Sequence, residues 1–160
     1  MNFNRQEIQW GPVAIGWVAA VVAFIVLGLI LGAIASAIGL AGDTTTAEAQ
    51  ANAGELGAGA FVGSMIVGFL AHAVGGFVAG TRARVNPTLN GVMVAVFGLV
   101  VVVVLTILIT VFGGIFFSGA GSTGTPGFLG YAGAGFVTVL VNFIFNALGG
   151  FVGGRFSQGR

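Results

Sequence analysis

The chain has 160 residues, 57% of them apolar and only 6% charged, with a mean hydropathy of +1.10. A soluble domain carries about 25% charged residues, and five basic plus four acidic side chains, absent from 8–42, 56–81 and 85–154, cannot clothe a globule of this size. This excludes a soluble enzyme, a disordered tail and, at a net charge of +1, a nucleic-acid-binding domain; the absence of cysteine removes disulfides, thiolate metal sites and a cysteine nucleophile.

What remains is an all-α integral membrane protein. Crossing the hydrocarbon core takes about 20 apolar residues, and the sequence has room for four spans in a single transmembrane domain. Residues 1–9 are polar, and the apolar stretch after them is longer than a signal-peptide core of about 7–15 residues, so it is expected to be a retained first span. That span runs from about Pro12, acceptable in a first helical turn, to Ile38. An outer loop at 39–57 follows, small and polar, in which Asp43 or one of Thr44–Thr46 is expected to cap a short helix over 47–53. The second span covers 58–80 and ends in a tight inner loop at 81–88, with Pro87 starting span three. Span three, 89–112, contains Leu99 and five valines, Val100–Val104. In water such a β-branched run suggests a strand, but an open strand cannot cross a bilayer, so a helix is expected. The second outer loop, 113–129, holds the Gly/Ser/Thr-rich SGAGSTGTPG, and the fourth span covers 130–154.

Arg5, Arg82, Arg84, Arg155 and Arg160 all fall on one side of these spans, whereas Asp43, Glu48 and Glu55 fall on the other. The positive-inside rule then places both termini in the cytoplasm, with Arg5, Arg82, Arg84 and Arg155 as inner-face anchors. Trp10 and Trp17 near the inner face, and Tyr131 near the outer one, fit interfacial aromatic anchors. Five arginines are too few and too scattered for a strong lipid-headgroup site, although Arg82 and Arg84 are within reach of anionic lipid.

Sliding 59–80 onto 133–154 gives ten identities in 22 positions, with His72-Ala-Val-Gly-Gly-Phe-Val-Ala-Gly80 against Asn146-Ala-Leu-Gly-Gly-Phe-Val-Gly-Gly154. The ordered GGFV block points to two tandem helical hairpins related by an axis along the bilayer normal. Within each copy a small or polar residue recurs every fourth position. These are Ser64, Gly68, His72, Gly76 and Gly80 on span two, and Thr138, Asn142, Asn146, Gly150 and Gly154 on span four. Spacing of four keeps a residue near one helix face, and small residues on that face let helices approach closely in lipid. Gly28, Gly32 and Ser36 form a third such set on span one.

His72 is the chain's only histidine and the only group within a span that titrates near neutral pH, which makes it a candidate functional residue. Its simplest reading is a neutral ring hydrogen-bonded to Asn142, Asn146 or a carbonyl. Two other readings are haem or chlorophyll ligation and a part in passing a proton or solute. Gly68, one turn earlier, leaves room for a flat macrocycle, and this small-xxx-His spacing resembles the pigment-ligating helices of light-harvesting proteins. Asn142 and Asn146 suit interhelical hydrogen bonding or the holding of a water. No carboxylate lies within a span, and no metal-ligand cluster, phosphate loop or Ser/His/Asp set is present, so no metal and no resident cofactor are expected.

The block GGFVAGTRAR, followed by Pro87 and LNGV, is similar to a motif of small four-span prokaryotic membrane proteins of unknown function. In that family a glycine-rich second span ends in an A-G-R-x-A-R-like segment; Thr81 stands here where the first arginine more often falls. The resemblance implies a multi-pass protein of a prokaryotic cytoplasmic (inner) membrane. The expected function is a non-enzymatic structural or accessory subunit, packing through glycine-rich faces with itself or within a larger membrane complex. The rival is a ligand-handling protein centred on His72, Asn142 and Asn146.

Overall fold

A computed structural model describes residues 8–37, 57–116 and 136–159, and among these the ordered structure is helical. The four long helices are α1 (Trp10–Ala37), α2 (Gly57–Arg82), α3 (Pro87–Phe116) and α4 (Phe136–Phe156), and a 3₁₀ turn, Ser157–Gly159, follows α4. Each is long and apolar enough to cross a membrane. Arg5, Asp43–Thr46, the segment 47–53, Tyr131 and the loop 118–127 lie outside the described residues.

Each observed helix overlaps one of the four apolar stretches, and two local features stand out near the connection of α2 to α3. α2 runs on through Arg82, where a cation in the last turn complements the helix dipole, so the connection to α3 shrinks to 83–86. Pro87 then opens α3, its fixed φ suited to a first helical position. Asn86 before it takes a φ of 45°, in the left-handed region that asparagine tolerates better than most residues.

α2 is the central helix, packing most extensively against α4 and α1; α3 also packs on all three of the others. The interior is built from small side chains. The buried apolar residues are Val13, Ala20, Val67, Ala71, Ala79, Val94 and Ala95, while Leu29, Ile66, Leu70, Ile107, Leu148 and Phe156 are among the large ones exposed. A protein in water would invert this, but lipid is as good a solvent for leucine as another helix is.

One end of the bundle is sewn together by polar groups. Asn90, wholly buried in the first turn of α3, accepts the backbone N–H of Gln9 at 2.8 Å. Its Nδ2 donates to the carbonyls of Val85 at 2.9 Å and Asn86 at 3.1 Å. The Gln9 side chain accepts the N–H of Arg84 at 3.1 Å, and Gln158 donates to Thr88 at 3.0 Å. The start of α1, the connection 83–86, the start of α3 and the turn after α4 therefore share one end, where Arg82, Arg84 and Arg155 are exposed.

Candidate functional site

The stripes foreseen on α2 and α4 face each other. Gly68, Gly76, Gly80, Asn142, Gly150 and Gly154 are buried, Ser64, His72 and Asn146 are half-buried, and Thr138 lies in the first turn of α4. The two helices run parallel, and repeat equivalents meet. A Cβ placed on Gly76 would strike the backbone of Gly150, and one on Gly80 would lie 3.2 Å from the Cα of Gly154. The GGFV blocks thus build the crossing of α2 with α4, where two backbones touch with no side chain between them.

The same device closes the α1–α2 and α3–α4 pairs. The Cβ position of Gly16 on α1 lies 2.6 Å from the Gly75 carbonyl oxygen, and that of Gly75 lies 2.6 Å from the Gly16 oxygen. Gly91 on α3 and Gly150 on α4 face each other's carbonyl oxygens in the same reciprocal way. Where a Cβ would stand, glycine carries a hydrogen, so both pairs have the geometry of reciprocal Cα–H···O contacts, worth about 0.5–1 kcal/mol each. Gly75 and Gly76 thereby serve opposite faces of α2, one toward α1 and one toward α4.

Five of the glycines packed against another helix's backbone do not belong to the stripes read from the sequence: Gly16, Gly75, Gly91, and Gly149 and Gly153, which meet the backbone of Phe69 and Ala73 on α2. Gly16 and Gly91 begin Gly-xxx-Ala pairs with Ala20 and Ala95, both buried, and a search for small residues of either type at spacing four finds them. Gly28 and Gly32 behave differently: both are exposed, with nothing within 4 Å of either Cβ position. α1 uses its Gly16-xxx-Ala20 face within the chain and leaves the Gly28-xxx-Gly32 face open, so the packing role expected of the latter pair is not exercised inside this bundle.

His72 points inward. Its Nδ1 lies 2.8 Å from the carbonyl oxygen of Gly68. A carbonyl only accepts, so Nδ1 carries the proton, and in the neutral ring Nε2 is left as an acceptor. Nε2 is directed at α3, 3.8 Å from the Cβ position of Gly98, which also lies 3.0 Å from Trp17 Nε1. Trp17 is half-buried, packs on the Ala20, Ala79 and Val94 cluster and meets Phe97 edge-on at 5.7 Å. Trp17 is thus wedged between helices, whereas Trp10 is 56% exposed at the start of α1. Two helical turns separate the two residues, about 10 Å along the axis, and this depth decides their different surroundings.

The sequence leaves His72 a choice of polar partners, and the structure pairs Nδ1 with the Gly68 carbonyl. Asn146 occupies the space beside Gly68 that a flat macrocycle would need: its Oδ1 abuts the Gly68 Cβ position and is buried without an N–H or O–H donor. The glycine Cα–H in that direction is its nearest neighbour. Asn142, 3% exposed, lies one turn earlier on the same face of α4. Among the described residues no group of three or more His, Cys, Asp or Glu comes together. Compared with family models, with characterised proteins and with solved structures, the chain matches none.

Proposed function

We propose that this chain is a non-enzymatic structural or accessory subunit of a prokaryotic cytoplasmic membrane that binds a second transmembrane helix along the outer half of α1. The carrying observation is the state of that half-helix. Val22, Ile25, Val26, Leu29, Ile30 and Ile34 are exposed around most of its circumference, and Gly28 and Gly32 stand in open space. The stripe glycines Gly68, Gly76, Gly80, Gly150 and Gly154 are consumed inside the bundle, so they are not free to bind a partner. The Gly28-xxx-Gly32 face matches the small-xxx-small pattern with both of its Cβ positions open. The partner is a second copy or a larger membrane complex.

Two tandem hairpins are supported by the reciprocal pairs Gly16/Gly75 and Gly91/Gly150, one between α1 and α2 and one between α3 and α4. A cytoplasmic location of both termini is supported by Arg82, Arg84 and Arg155 sharing one end, since basic residues are retained inside. The likeness of AGTRAR to the small four-span prokaryotic proteins supports the membrane assigned.

Replacing Gly28 and Gly32 together by leucine is expected to abolish higher-order species on native gels in mild detergent while leaving helicity and thermal stability near wild type. Unchanged migration and unchanged co-purifying proteins would overturn the reading.

A second reading, passage of a small neutral solute past His72 and Asn146, is favoured by the buried, donor-free Asn146 Oδ1. Proteoliposomes that admit glycerol faster than empty vesicles, with the excess lost in Asn146→Leu, would support it. Equal rates would remove it.

A further inference from the structure

The last two turns of the chain carry a feature that neither the glycine packing nor the polar stripe uses. Val152, Arg155, Phe156 and Gly159 line a groove of about 380 Å³. Their spacing of three, four and seven residues puts them on one face at the end of α4. Phe156 is 70% exposed, the Arg155 side chain is exposed beside it, and Val152 continues the face toward the bilayer interior.

We propose that this groove binds an anionic phospholipid, its phosphate on the Arg155 guanidinium and an acyl chain along Phe156 and Val152. Three arguments converge. A guanidinium offers a phosphate two parallel N–H donors, a match that an ammonium or a lone backbone N–H lacks. The arginine ends a membrane-spanning helix, at the depth where headgroups lie, and has apolar side chains on its bilayer side. Among the described residues the charge at this end is positive: Arg82 and Arg84 are exposed there together with Arg155. A free phosphate would use the arginine but not Phe156 or Val152, so the lining favours a lipid.

The test is native mass spectrometry of the purified full chain in mild detergent, titrated with phosphatidylglycerol, phosphatidylcholine of the same chains, or inorganic phosphate. Wild type is expected to retain phosphatidylglycerol in preference to phosphatidylcholine, and Arg155→Gln to bind phosphatidylglycerol about five-fold more weakly, the scale of one arginine at an anionic surface. Arg84→Gln, on the connection 83–86 and outside the groove lining, is expected to cost less affinity than Arg155→Gln, and an equal or larger loss would overturn the assignment to the groove. Phe156→Ser, which keeps the guanidinium, is expected to weaken both lipids alike. Helicity by circular dichroism establishes that each variant is folded, and Arg155→Lys serves in place of Arg155→Gln if the latter is not. Equal retention of the two lipids, wild-type affinity in Arg155→Gln, no effect of Phe156→Ser, or displacement of the lipid by equimolar inorganic phosphate would each overturn the proposal.

Discussion

Two asparagines at opposite depths show how differently one residue type behaves in this fold. Asn90 is wholly buried, with its oxygen accepting from Gln9 and its nitrogen donating to Val85 and Asn86. Asn90→Ala strands a backbone N–H at the start of α1 and loosens the connection 83–86, at a cost of about 1–3 kcal/mol. Asn146 has a buried oxygen with no conventional donor, so Asn146→Ala gives up little, on the scale of the roughly 0.6 kcal/mol average for hydrogen bonds between membrane helices. Unfolding by SDS titration in mixed micelles ranks the two: Asn90→Ala is expected to unfold at the lower SDS fraction, and the reverse order contradicts the assignment. Gly68→Ala belongs to the same test. Its new methyl meets only the end of the Asn146 side chain, so the loss it causes should largely vanish in the Gly68→Ala/Asn146→Ala double variant.

Between helices the deciding quantity is what stands where a Cβ would go. At Gly76, Gly91 and Gly150 it is another helix's backbone, which cannot rotate away; each alanine there forces two helices apart and is expected to cost about 1–3 kcal/mol. At Gly28 and Gly32 it is empty space, and alanine should stay within about 0.5 kcal/mol of wild type. An alanine scan of these five positions, read as the thermal midpoint in detergent, should split into two groups; a uniform response would contradict the backbone-contact account. The same comparison shows what was legible beforehand. The four spans could be read because apolar length is a one-dimensional property, and the α2–α4 crossing because its glycines repeat. Gly28-xxx-Gly32 and Gly76-xxx-Gly80 are the same word in the sequence. What separates them is whether another backbone lies alongside, which depends on the crossing points of the whole bundle. Asn90 was missed for a related reason: an asparagine in a first helical turn looks like an ordinary cap until the start of α1 is placed beside it.

For the whole molecule, these contacts have a common location. Gly16-xxx-Ala20, Gly76-xxx-Gly80, Gly91-xxx-Ala95 and Gly150-xxx-Gly154 all lie in the halves of their helices nearest the arginine-bearing end, as does the Asn90 network. The bundle is pinned at that end, while the far half of α1, and the far part of α3 around Val103, Val104, Ile107 and Leu108, turn apolar surface outward. The proposed orientation, with the arginine-bearing end in the cytoplasm, is open to a direct test. Because the wild-type chain has no cysteine, single cysteines report its orientation without background. Val85→Cys, 47% exposed on the inner connection, is expected to resist a membrane-impermeant maleimide in intact cells and to react once the membrane is permeabilised. Ser122→Cys, in the loop the sequence places outside, is expected to react in intact cells. Reaction of Val85→Cys alone in intact cells would invert the orientation. Reaction of both, or of neither, would place the two loops on the same side and contradict the third span itself.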